Sequence, residues 1–158
     1  MTGVSALNRT AILVADVVAS GQFYSDVLGM TLLYTEAHTT AEILPQLVRL
    51  LGLPSEGVMR FRFYRSAEPG DGGLVALFEV TPAPPPVQIA APERMSVGEA
   101  CLVFFHPDLE ALMAALVADG CRVVGPVEIL LAPQGAQREA IVRNRDGTLF
   151  NFIERTRA

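Results

Sequence analysis

Few residues in this chain are able to do chemistry. It has two histidines, His38 and His106, two cysteines, Cys101 and Cys121, and twelve basic residues that are all arginines, because no lysine occurs. Schiff-base chemistry, a lysine general base and a Walker phosphate loop all need that missing amine and are excluded. Two imidazoles are too few for a metal site built mainly on histidine, although carboxylates could contribute. Two cysteines permit at most one intramolecular disulfide and no cysteine-rich metal motif. Arg60, Arg62 and Tyr64 are two residues apart, so on a strand they share one face. That row either lines a cavity mouth that binds carboxylate or phosphate, or forms an exposed polar face. The opposite face, with Phe61 and Phe63, is expected in the core. Cys101 opens an apolar run, where a thiol reads as a small buried hydrophobe rather than a thiolate, with no histidine beside it in sequence. His106 precedes Pro107 at a helix entrance, and His38 falls in a polar loop; both read as structural or exposed.

The elements that must position these residues follow from the hydrophobic pattern. A length of 158 residues, 51% hydrophobic content and a mean hydropathy of +0.37 describe one well-filled domain, not a disordered chain. A net charge of −5 and scattered arginines argue against nucleic acid as a partner. No apolar run approaches a membrane span of about 20 residues. The N-terminal residues show no basic stretch followed by an apolar one, so a soluble cytoplasmic protein is expected.

Thr10 to Ala15 reads as a buried strand ended by Asp16, Val17 to Leu28 as a helix closed by Gly29, and Met30 to Thr35 as a second strand. Thr39 and Glu42 have capping-box spacing before an apolar stripe that includes Leu44, Val48 and Leu51, with Pro45 blurring the start. Val58 to Arg65 and Leu74 to Val80 read as a hairpin around the turn residues 68–73. Five prolines within residues 82–97 mark a semi-rigid linker. Ala100 to Phe105 then reads as a strand, Asp108 to Gly120 as a helix, and Cys121 to Val127 as another strand. Arg138 to Arg143 and Thr148 to Glu154 read as a hairpin about Asn144 to Gly147. Gly29 follows Asp16 by thirteen positions and Gly120 follows Asp108 by twelve, and Ala76-Leu-Phe-Glu79 matches Asn151-Phe-Ile-Glu154. The chain therefore reads as a repeat of βαβββ units.

In the order of three segments the chain resembles the vicinal oxygen chelate superfamily of glyoxalase I, extradiol dioxygenases and bleomycin-resistance proteins. These are Val14-Ala-Asp16 with Phe23 to Met30, Asp108 to Leu112, and Asn144 to Glu154. The resemblance implies an α+β fold in which two tandem βαβββ modules, about 8–81 and about 98–156, form a curved mixed sheet around a cavity, usually in a homodimer. It also implies a divalent metal held by a residue on the first and the last strand of each module. The matching positions here are Arg9 and Cys101, and Ala76 and Asn151, none of them the expected ligand. A guanidinium has no lone pair to give and alanine no donor atom. Glu79 enters a metal site only through a register shift of three, which the match of Glu79 with Glu154 opposes. The expectation is a protein without a cofactor, in which Arg9, Ala76, Cys101 and Asn151, with Arg60 and Arg62, bind a small anionic or aromatic molecule between the modules. The alternative is a lyase or isomerase acting through Arg9 with proton transfer by Cys101, Glu79 or a tyrosine. A metal-dependent version needs Glu79 and a displaced histidine to converge.

Overall fold

Strand β1 (Arg9–Leu13) runs into Asp16, whose extended backbone and free carboxylate start helix α1 (Val17–Gln22). In this computed structural model, which describes residues 7–42, 45–66, 73–86, 95–131 and 135–155, Asp16 Oδ1 accepts from Val18 N (2.8 Å) and Ala19 N (3.0 Å). Those two bonds lower its pKa and satisfy helix donors that would otherwise lack a partner. A π-helical turn, Phe23–Val27, continues α1 and is closed by Gly29 at φ 64°. Strands β2 (Thr31–Thr39), β3 (Val58–Arg65) and β4 (Leu74–Thr81) complete the first sheet, and helix α2 (Pro45–Leu51) lies between β2 and β3 in sequence. The sheet order is β1-β4-β3-β2, with β1 parallel to β4 and the other pairs antiparallel.

The same order recurs. Strand β5 (Cys101–His106), helix α3 (Leu109–Ala118), and strands β6 (Arg122–Leu131), β7 (Gly135–Arg143) and β8 (Leu149–Glu154) form a second mixed sheet, β5-β8-β7-β6, again with one parallel pair. Asp108 Oδ1 caps α3 at Ala111 N (3.0 Å), and Asn144 Oδ1 accepts from Asp146 N and Thr148 N to shape the β7–β8 turn. The fold is α+β, with two open four-stranded sheets. The chain divides into two compact units, residues 1–86 and 87–158. Residues 87–94 of the proline-rich stretch, 68–72 of the turn cluster and Leu44 lie outside the described residues.

Each sheet is held to its helix by a repeated device. Glu79 Oε2 accepts from Val17 N (3.0 Å) at the start of α1, while Arg60 Nη1 donates to Glu79 Oε1 (2.6 Å) from the neighbouring strand. In the second unit Glu154 Oε1 accepts from Leu109 N (3.1 Å) at the start of α3, and Arg138 Nη1 donates to Glu154 Oε2 (3.0 Å). One carboxylate thus answers a helix N–H with one oxygen and an arginine with the other. The sequence match of Glu79 with Glu154 is this bond, made twice. Glu79 is half-buried and committed to it, which differs both from a metal ligand and from a solvated strand end.

Strand β2 extends four residues past Thr35 because β3 offers a partner as far as Val58, which registers with Thr39. As an edge strand, mostly exposed, β2 carries no apolar alternation from which its end could be read. His38 is therefore a strand residue and not part of a loop. The capping-box spacing does form a reciprocal pair, Glu42 Oε2 accepting from Thr39 N (2.9 Å) and Thr39 Oγ1 from Glu42 N (3.3 Å), before α2 begins at Pro45.

Candidate functional site

The side chains of a strand alternate, and in the first unit the two faces of the sheet have separate surroundings. Registered residues share a face, so Arg9, Ala11 and Leu13 of β1 stand with Ala76 and Phe78 of β4, Met59, Phe61 and Phe63 of β3, and Tyr34 and His38 of β2. The opposite face carries Arg60, Arg62, Tyr64 and Glu79, beneath α1. Tyr64 is fully buried, stacked on Tyr24 of the π-helical turn with ring centroids 5.7 Å apart. Arg62 packs by Gly21 of α1, and Arg60 holds Glu79.

The face with Arg9 is an open trough of about 680 Å³. Its floor and walls are Ala11, Leu13, Met59, Phe61, Phe63 and Phe78, and Leu50, Leu51 and Leu53 of α2 and the following turn close one side. The rings form one connected cluster. Tyr34 stacks on Phe63 at 4.5 Å, His38 on Phe61 at 5.7 Å, and Phe61 and Phe63 each meet Phe78 at about 6 Å. Arg9 is exposed, with its guanidinium carbon 5.5 Å from the centre of the Phe63 ring, within cation–π range. A mostly apolar, aromatic trough with a few polar groups at its border has the make-up of a small-molecule site.

Of the residues singled out from sequence, the structure puts Arg9 in this trough. Ala76 shares the face but is fully buried and does not line it. Arg60 and Arg62 do not line the trough: they are on the face that carries α1, Arg60 exposed and Arg62 half-buried, because the bond from Glu79 to α1 fixes which side of β3 the helix takes. Of Phe61 and Phe63, both expected in the core, Phe63 is buried there and Phe61 is half-buried, and both also line the trough. This surface left little signal in the sequence, since Ala11 to Ala15 is an unbroken apolar run whose exposure at Ala11 and Leu13 only the structure shows.

Cys101 and Asn151 belong to the second unit and project from one face of its sheet, with Glu139 and Ile141. Burial, then the charge of Glu99, raises the Cys101 pKa, so its thiol stays protonated at neutral pH; burial pushes Cys121 up to about 11. Asn151 Nδ2 donates to buried Glu139 Oε2 (2.8 Å), and Asn151 Oδ1 is buried without a hydrogen-bond partner among the described residues. His106 Nδ1 contacts the backbone of Asp108 at the entrance to α3. The four positions that the family resemblance assigns to a metal therefore hold a guanidinium, a methyl group, a thiol and an amide already bonded through its nitrogen. This donor set does not fit a divalent ion. Among the described residues no three His, Cys, Asp or Glu side chains come together as a metal site elsewhere.

The family model of the glyoxalase/bleomycin resistance protein/dioxygenase superfamily matches residues 6–152. Among solved structures, the chain is similar to a glyoxalase family protein from Bacillus cereus, with 16% identity over 99% of this chain and 97% of that one and a TM-score of 0.73. It is also similar to a virulence protein from Salmonella typhimurium, with 17% identity over 97% and 98% of the two chains and a TM-score of 0.54. A glyoxalase I variant from Zea mays is matched at 15% identity over 96% of this chain and 46% of that one, with a TM-score of 0.64. At these identities the likeness is one of fold. No curated protein matches the chain.

Proposed function

The chain belongs to the glyoxalase/bleomycin resistance protein/dioxygenase superfamily, and from that premise we propose that it is a small-molecule binding member which uses the trough of its first unit. The observation that carries this reading is the trough itself, about 680 Å³ of connected aromatic and aliphatic surface on the sheet face away from α1. Binding is favoured over catalysis because the proton-transfer groups expected from the sequence are, apart from one tyrosine, withdrawn, while the trough's own His38 and Glu42 are engaged by Glu36 and Thr39. Glu79 is tied to α1 and Arg60, the Cys101 thiol has a raised pKa, and Tyr24 and Tyr64 are fully buried. Of the expected proton-transfer groups, Tyr34 alone lines the trough. In this reading the protein is cytoplasmic, acts as a homodimer and needs no resident metal. No helix among the described residues is long and apolar enough to cross a membrane.

Ala11 is exposed and faces the trough, so Ala11→Trp fills the space without entering the core. We expect this variant to keep the native unfolding midpoint and to weaken uptake of an aromatic probe by roughly 100-fold or more, since an indole occupies the ligand's place. Dye-displacement titration on the two proteins checks it; unchanged affinity would move the site elsewhere. Metal content separates the binding reading from the enzymatic alternative. Purified protein is expected to retain no stoichiometric divalent ion after dialysis, and one ion per chain by elemental analysis would overturn the metal-free reading.

A further inference from the structure

The charged groups that border the trough are not equivalent. Glu42 Oε2 accepts from both the backbone N–H and the hydroxyl of Thr39 (2.9 Å each), bonds that hold its carboxyl below the usual range. His38 Nε2 meets Glu36 Oε2 at 2.8 Å. Arg9 has no ion-pair partner among the described residues, and its guanidinium is oriented by the face of Phe63. Position adds a second asymmetry. Strands β1 and β2 are the two edges of the sheet, and Arg9 registers with Leu74 at the start of β4, whereas His38 registers with Met59 and so with Val80 at its end. The uncommitted cation and the Glu36, His38 and Glu42 group thus occupy diagonal corners, with Phe61, Phe63 and Phe78 between them.

Resting on the reading of the trough as the ligand site, we infer that it takes a flat aromatic monoanion in a single orientation, with its acid group at Arg9 and its rings over Phe61, Phe63 and Phe78, and that it rejects a second acid group at the far end. The guanidinium supplies a planar fork of donors to a carboxylate, while the two carboxylates at the opposite corner repel one. The apolar body between them rewards aromatic area.

Calorimetric titration of the full chain with naphthoate, naphthylmethanol and naphthalene dicarboxylate tests this. Naphthoate is expected to bind roughly 10-fold tighter than the alcohol, the worth of one charge-assisted hydrogen-bonded pair, and tighter than the dicarboxylate. Arg9→Gln should bring naphthoate and the alcohol to within about twofold of each other, and Arg9→Lys should retain part of the difference. Equal affinity for acid and alcohol in the native chain, an acid preference that survives Arg9→Gln, or a dicarboxylate that binds tightest would each overturn the inference while sparing the trough. Failure of all three probes to bind would instead overturn the trough reading.

Discussion

Glu99→Ala is expected to destabilise the second unit by about 3–5 kcal/mol, a loss out of proportion to the removal of one surface-proximal carboxylate. The reason is Arg143, whose side chain is 4% exposed and whose two terminal nitrogens both donate to Glu99. Its remaining contacts include the carbonyl of Gly147 at 2.6 Å, in the turn between β7 and β8. Removing Glu99 takes both of these charge-assisted bonds from a buried guanidinium. The double variant Glu99→Leu with Arg143→Met, which removes both charges, should recover most of the loss. Urea unfolding at neutral pH measures both; a single variant as stable as the native chain would show that the pair contributes little. The pH dependence has a definite sign. Hydrogen bonding from Arg143, then from Ser96 N, lowers the Glu99 pKa below its ordinary 4.5. A carboxylate with a depressed folded-state pKa stabilises above its unfolded value and loses that contribution as pH falls through the folded one. The native chain should therefore lose stability on acidification below about pH 4.5, and Glu99→Ala should have a flatter profile there.

Gly57→Ala is expected to cost the first unit about 3 kcal/mol. Gly57 has φ 146°, a region closed to side chains, and a Cβ there would come within 2.0 Å of the backbone oxygen of Thr81. That oxygen belongs to β4 where it registers with Val58, so relief requires the β3–β4 ladder to open. Gly52→Ala is the control: it has φ 63° and nothing within 4 Å of an added Cβ, so it should cost only about 1–2 kcal/mol. If the two substitutions had the same effect on the urea midpoint, the close approach of β3 to β4 would not be the cause.

Much of the architecture was legible because local rules and the global fold agree. Asp16 and Asp108 cap their helices, Gly29 closes the first, and Asn144 to Gly147 turns a hairpin, each by chemistry contained within a few residues. The repeat was legible for the same reason, since Glu79 and Glu154 each perform one task in their own unit. The candidate site was only partly legible. A period of two places Arg60, Arg62 and Tyr64 together but does not say which side of the strand receives the helix. Arg60 is exposed and held by Glu79 and Arg62 packs by Gly21 of α1, while Phe61 and Phe63 on the other face line the trough. Edge strand β2 defeated the reading of His38, because exposure on both faces erases the alternation that would have marked it.

The carboxylate that ties each helix to its sheet has a consequence for how the protein can change. Along β4, Phe78 and Glu79 are neighbours in the chain, yet one faces ligand space and the other anchors a helix. Successive residues therefore answer to different selective demands, and substitutions at Ala11, Leu13, Phe61 or Phe78 can alter what is recognised without reaching the anchoring bonds on the reverse side. A lineage, or a mutant library, could exchange one ligand for another through these positions while the scaffold's inheritance passes unaltered.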